Sequence, residues 1–353
     1  MSGILKRLQR TLNGRKESYE QSSPSLAQEL QSNAALLSRL TEHDGDFINF
    51  ASLDGATEVE TPHGTCFQIV TVYPLSHEHG AIPLEHTYHT TCAQFESLVG
   101  DPRLQAFIPE EALFLDIEAT GLDHGAGTFA FMVGLGYRDN DSFIVKQLFL
   151  PDMHQELPML HVLKEHQARF EFLISFNGKS YDLTVLQSRM VIQRIYSSEE
   201  CQLKLQPHLD LLHLARNMYR KCFGNTRLPT LEETLLDFHR VDDVPSALVP
   251  TMWFEFLRTR NAQPIKLVAE HNLYDVLSMV ALTGLVAQHS QLKQVPTKHY
   301  SQIALNLGRV WLRRKYPDSA ISAFEAANDR FLDVADINEK YGGLSKAYGR
   351  IKN

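Results

Sequence analysis

Residues 113–122 read LFLDIEATGL. The apolar residues Leu113, Phe114, Leu115 and Ile117 surround two acids, Asp116 and Glu118, that stand two positions apart. Side chains of a strand alternate between its faces, so both carboxylates leave the same face of a sheet. An apolar central strand would ordinarily continue at this point, and an unpaired charge there is unfavourable because burial strips its water. A bound cation relieves that penalty. Taken alone, the pair also fits a solvent-facing edge strand, so the decision rests on the rest of the chain.

The same stretch opens a run of three strand signals between 112 and 150, ALFLDIEAT, TFAFMVGLGY and SFIVKQLFL. Turn formers separate them: Gly121, Asp123, Gly125, Gly127, Asp139 and Asn140. This predicts an antiparallel three-strand meander. A helix-period segment follows from Glu156 to Arg169, and the apolar strand FEFLISF then runs into NGKSYD and a second helix. Beyond it, helices are expected around Leu211 to Phe223, Leu231 to His239, Thr251 to Arg260 and Lys266 to Gln288.

Two further segments carry chemistry. In FNGKSYD, Phe176 to Asp182, a strand ends in Asn-Gly and a helix begins, and strand ends in mixed α/β sheets are where ligands bind. Asp182 there serves equally as a charge at a helix N-terminus or as a metal ligand. In EHNLYDVLSMV, His271 and Asp275 are four apart and share one helix face, which fits a surface pair as well as a base beside an acid. Tyr274 falls on a different face.

In combination, DIEATGL, FNGKSYD and HNLYD resemble the three exonuclease motifs of the DEDD, or DnaQ-like, superfamily of 3′→5′ exonucleases, in the same order and with similar spacing. Through GLDHGAGTFAFMVGLG, FNGKSYDLTVLQSR, HLDLLHLAR and the C-terminus, the chain beyond about Val72 is similar to YprB-type ribonuclease-H-like proteins. The resemblance implies an α/β, ribonuclease-H-like mixed sheet, with the antiparallel meander plus parallel strands flanked by helices and an all-α tail. It implies four acidic ligands, Asp116, Glu118, Asp182 and Asp275, with His271 as general base. In the histidine subclass the base stands five residues before the last Asp; His271 stands four before Asp275, the offset at which the sister subclass carries Tyr.

These residue types suit phosphodiester hydrolysis. Two Mg²⁺ or Mn²⁺ ions about 3.5–4 Å apart can serve both the attacking and the leaving oxygen, and hard cations of this kind select carboxylates over cysteine. A histidine is a usable base at cellular pH. Asn177, Lys179 and Arg189 are expected to touch the substrate, with Phe176, Tyr181 and Phe129 as rings available for stacking. Asp210, in HLDLL, is placed behind the ligands.

The surrounding sequence sets the frame. The formal charge of −8 argues against a protein that coats nucleic acid, but leaves room for a local basic rim. Residues 1–60 are expected to hold a basic amphipathic helix (Lys6, Arg7, Arg10, Arg15 and Lys16 around Ile4, Leu5, Leu8 and Leu12) and a Ser- and Gln-rich linker. Residues 61–108 lead into the nuclease, 109–292 form it, and 297–353 form a tail in which Leu307, Gly308, Trp311, Ala320, Phe324 and Ala327 resemble a tetratricopeptide repeat. His77, His79, His86, His89 and Cys92 match no closed zinc site well, and no metal is assigned to them. Scattered Cys66, Cys92, Cys201 and Cys222 suggest reduced thiols, and the absence of a long apolar run suggests a cytoplasmic protein without a membrane span. The expected substrate is the 3′ end of single-stranded DNA or RNA, and the tail offers a surface for a protein partner. A structure-selective endonuclease on the same fold and a weakly catalytic nucleic-acid-binding adaptor are the alternatives.

Overall fold

Strand β1 (Ala56–Thr61) and strand β2 (Gly64–Pro74) form a hairpin ahead of the LFLDIEATGL strand. A small hairpin, β3 (Glu78–His79) with β4 (Ile82–Pro83), precedes the short helices α1 (Glu85–His89) and α2 (Phe95–Val99). The expected meander follows as β5 (Ala112–Ala119), β6 (Ala130–Asp139) and β7 (Ser142–Phe149). Helix α3 (Glu156–Gln167) leads to β8 (Phe172–Ser175), then come α4 (Asp182–Ile192) and β9 (His208–Asp210). The structure is a computed structural model that describes residues 48–121, 127–196, 206–241, 243–293 and 297–352. The basic helix expected near the N-terminus and Cys201 lie outside the described residues.

One seven-stranded sheet runs β1-β2-β7-β6-β5-β8-β9. The first five strands in that order pair antiparallel, while β5 with β8 and β8 with β9 pair parallel. This is the ribonuclease-H-like mixed sheet that the order of elements implies. The sheet also takes in the strand read at Thr65 to Val72, because β2 pairs with β7 along its length. The boundary expected near residue 60 therefore falls at the end of a strand that belongs to this sheet.

Helices α5 (Leu211–Phe223), α6 (Leu228–Leu231), α7 (Val249–Thr259) and α8 (Gln263–Ser290) cover the sheet. Helix α8 is apolar nearly all round, with Val276, Met279, Val280 and Ala281 fully buried, as a helix inside a core must be. It reaches the sheet at two glycines of β6. A Cβ on Gly134 would lie 2.3 Å from Asn272 Oδ1, and one on Gly136 would lie 2.5 Å from Val276 Cγ1. Asn272 and Val276 are one turn apart on α8, so the bare strand face admits one stripe of the helix directly against the backbone.

The tail contains three α-helices, α9 (Lys298–Arg313), α10 (Pro317–Ala326) and α11 (Val334–Ile351). It shares the main core: Ile303, Leu307, Trp311 and Phe324 cluster with Leu98, Met218 and Val280. Trp311 Nε1 donates to Ser97 Oγ at 2.8 Å, and Asn306 Nδ2 donates to the Met218 carbonyl at 2.9 Å.

The histidine-rich stretch serves packing. His79 Nε2 donates to Ser278 Oγ at 2.7 Å and His86 Nε2 meets Gln288 Oε1 at 3.1 Å, both on α8. Among the described residues, no helix is long and apolar enough to cross a membrane. Burial pushes the thiols of Cys66 and Cys92 up to about 12, which leaves them unreactive.

Burial, with nearby cations adding to it, lowers His79 and His208 to about 3, so both rings are neutral in the fold. An unfolded histidine takes a proton near pH 6.5. Between these limits the unfolded chain binds more protons, so the stability these rings contribute is intact above about pH 6.5 and is lost as the pH falls toward about 3. The imidazole resonances of His79 and His208 should therefore hold their neutral positions down to about pH 5. Protonation of either ring above about pH 6 in the folded chain contradicts this.

Candidate active site

Four acids approach one another from three elements. Asp116 and Glu118 leave the same face of β5, opposite Gly134 and Met132 of β6. Asp182 opens α4, and Asp275 with His271 comes from α8. The ligand atoms of Glu118, His271 and Asp275 all lie within 4.8 Å of one another. Asp116 feels the charges of Asp275 and Asp182, and Asp182 feels those of Asp210, Glu118 and Asp275. Burial, reinforced by this mutual repulsion, holds the carboxyls of Asp116 and Asp182 well above the usual range. Burial does the same to Glu118, against the opposing pull of His271.

Each acid has a local reason for its position. Asn272, seated over Gly134, donates from Nδ2 to Asp116 Oδ2 at 2.8 Å, and Gln147 on β7 fixes Asn272 through a 2.9 Å bond to its Oδ1. The same Gln147 Nε2 meets the Ala269 carbonyl at 2.6 Å, which ties the helix to the sheet beside the acids.

The strand-to-helix turn before Asp182 is held by Asp210 at the end of β9. Asp210 accepts from the amides of Asn177 at 2.9 Å and Lys179 at 3.1 Å, and caps α5 through the Leu212 amide at 3.1 Å. Asn177 sits at φ 71°, a left-handed conformation that asparagine tolerates better than most residues. A Cβ on the next residue, Gly178, would lie 2.3 Å from Ser175 Oγ and 3.0 Å from Asp182 Oδ2. The tight turn thus delivers Asp182 with its Oδ2 buried and without a hydrogen-bond partner.

His271 is oriented by a residue that the motifs do not contain. Its Nδ1 donates to Asp243 Oδ1 at 2.6 Å, because a carboxylate can only accept, and its Nε2 then faces Asp275 Oδ2 at 3.7 Å and Glu118 Oε1 at 3.9 Å. Burial disfavours the imidazolium, but the charge of Asp275, the hydrogen bond to Asp243 and the charge of Glu118 outweigh it and push His271 up to about 10. Arg240, its side chain 5% exposed, supplies the second internal cation. It pairs with Glu232 at 2.5 Å, hydrogen-bonds Asp275 and reaches Asp243 at 3.5 Å.

The expected substrate residues divide. Asn177 lines a cleft of about 650 Å³ that also reaches Phe176, Asp116, His271 and Asp275. Lys179 is exposed beside this turn. Arg189 is not at a rim: its guanidinium is buried in a two-point pair with Glu156, both contacts 2.5 Å, and lies over the Phe129 ring. Tyr181 directs its hydroxyl to the Gly121 carbonyl. Arg240, Asp243 and Asn272 were missed by the sequence reading. Only the charge density of HRVDDV hinted at the first two, and no local period reports a partner about thirty residues away.

An oxygen-rich set of donors with one orphaned, buried carboxylate oxygen suits hard divalent cations. The family model RNase_H_2, described as the RNase_H superfamily, matches residues 113–287, in keeping with the ribonuclease-H-like sheet. A protein of Bacillus subtilis (strain 168) named "Uncharacterized protein YprB" is 27% identical over 284 residues, which are 78% of this chain and 68% of that protein. Among solved structures, the family B DNA polymerase of the hyperthermophilic archaeon Pyrobaculum calidifontis is similar over 59% of this chain and 29% of its own, with a TM-score of 0.40 and 15% identity. Ribonuclease-H-like domains generally use divalent metals, in keeping with the acids and histidine gathered here.

Repulsion among buried acids makes a testable demand on the metal-free chain. Asp182→Ala removes a carboxylate whose Oδ2 has no partner, and in chelator it should raise stability by about 1 kcal/mol, the scale of one unsatisfied buried polar group. Urea unfolding in chelator measures this. A loss of more than about 2 kcal/mol would show that Asp182 stabilises the fold by a contact of its own.

Proposed function

We propose that this chain is a divalent-metal-dependent 3′→5′ exonuclease that hydrolyses single-stranded DNA or RNA to nucleoside 5′-monophosphates. The superfamily match supports a nucleic-acid-processing hydrolase. The observation that carries the finer reading is the convergence of Asp116, Glu118, Asp182, Asp275 and His271 at the end of an open cleft.

In this reading Asp116, Glu118, Asp182 and Asp275 would hold two Mg²⁺ or Mn²⁺ ions, which when bound supply neutralisation of the charge that builds up on the phosphate. The protein does the rest. Asn272 and the Asp210-anchored turn keep Asp116 and Asp182 in place. Asp243 fixes the tautomer of His271 so that Nε2 faces the carboxylates, where it accepts the proton of the attacking water. The charges of Asp275 and Glu118 raise His271 together with the Asp243 hydrogen bond, so neutralising those two acids would shift the ring toward its neutral form. Phe176, Asn177 and Lys179 are assigned to the terminal nucleotide. The C-terminal helices are assigned to a protein partner, and the site of action to the cytoplasm.

Matched 5′-labelled DNA and RNA oligomers, incubated with Mg²⁺, Mn²⁺ or chelator, test the reading. A ladder that shortens from the 3′ end, only with metal, is expected. His271→Ala should lower the rate by about two to four orders of magnitude. Cleavage of a circular single strand at a comparable rate would instead identify an endonuclease, and wild-type rates in His271→Ala would remove the base from this account.

A further inference from the structure

Five surface arginines of this acidic chain are paired with acids. Arg103 meets Asp101, Arg138 meets Glu110, Arg258 meets Glu255, Arg260 meets Asp152 and Arg309 meets Asp336 and Glu339. Three others line the cleft that ends at Asp116 and His271: Arg216, Arg220 and Arg227. All three are exposed, and among the described residues none of the three guanidinium groups has an ion-pair or hydrogen-bond partner; Arg227 bonds Asn225 only through its backbone amide.

Their arrangement follows from the helix that bears two of them. Helix α5 starts at Leu211, directly after the Asp210 that anchors the turn before Asp182, so it leads away from the carboxylate centre. Leu212, Arg216 and Arg220 recur every four residues, share one face and all line the cleft. The two arginines are on the order of 6 Å apart along the axis, close to the step between successive phosphates of an extended strand. Arg227, beyond the helix end, lines the same cleft, as do Phe176 and Leu212, which add apolar surface. A basic stripe beside a ring is how non-sequence-specific sites hold single strands. Cations left unpaired at the mouth of an acidic centre, in a chain of charge −8, concentrate a polyanion where the fold would otherwise repel it.

We propose that Arg216, Arg220 and Arg227 form a phosphate track that guides the backbone of a single-stranded nucleic acid along α5 into the carboxylate centre. The proposal rests on the nuclease reading for its substrate class, but its test can be read without cleavage. Binding of a labelled 12-nucleotide single strand, DNA or RNA, to the full chain in chelator is followed across a salt series. Each phosphate contact on a single strand contributes about 0.7 to the slope of log affinity against log salt. Arg216→Gln with Arg220→Gln should therefore reduce the slope by about 1.4 and weaken binding by at least about tenfold. Lys346→Gln, which removes a positive charge from α11, should do neither.

In the cleavage assay the same double variant should raise KM for the 12-nucleotide strand far more than it lowers kcat, and should lose the preference for that strand over a dinucleotide. Unchanged slope and affinity in the double variant, or equal loss with Lys346→Gln, overturns the track while leaving the nuclease reading standing. Wild-type chain that does not bind the strand overturns it as well. A chain that binds with the expected slope but does not shorten 3′ ends retains the track and rejects the exonuclease.

Discussion

The close seating of α8 on the bare backbone of β6 is the constraint on which the site depends. Gly134 and Gly136 leave room for Asn272 and Val276, and a side chain at either glycine would push the helix outward. Every consequence for chemistry follows from that depth. Asn272 can reach Asp116 across the strand, and one residue earlier and three later the same helix brings His271 and Asp275 against Glu118. A sheet with ordinary side chains at 134 and 136 would hold the helix farther off, since neighbouring layers are close-packed and do not yield continuously. The extra polar link from Gln147 to both Asn272 and the Ala269 carbonyl fixes the helix against sliding along the strand.

Bringing acids together at this depth creates an electrostatic problem that the fold answers in part. Arg240 and a protonated His271 stand among Glu118, Asp243, Asp275 and Glu232 as internal cations. They lie on one side of the cluster. Asp182 on the other side has an oxygen without a partner, and Asp116 receives one amide. The uneven balance locates the demand for added positive charge between β5 and α4, while Arg240 and Asp243 hold the α8 side in a fixed geometry. The outer cleft carries a different charge, because Arg216, Arg220 and Arg227 line it and, among the described residues, have no acidic partner.

Much of this was legible in sequence where the signal is local. Alternation and apolar runs gave the meander and β8, the four-residue offset put His271 and Asp275 on one helix face, and Leu211 to Phe223 reads as the helix observed. What escaped depends on distant pairs. β9 is three residues long and has no period to detect, yet its Asp210 holds the turn before Asp182. Arg189 looked like a basic rim because nothing near it in sequence announces Glu156, thirty-three residues earlier. Asp243 and Arg240 act on α8 from about thirty residues away in sequence. The glycines of GLG were visible, but their meaning lay in which helix would land on them.

The central claim is that buried carboxylates from β5, α4 and α8 form one centre that requires divalent cations. Titration of the full chain with Mn²⁺, with bound ions counted by electron paramagnetic resonance, tests it most directly. The account predicts about two ions per wild-type chain and reduced occupancy in each of Asp116→Ala, Asp182→Ala and Asp275→Ala. Saturation of the wild-type chain with no Mn²⁺ bound, or full occupancy in all three variants, would contradict it.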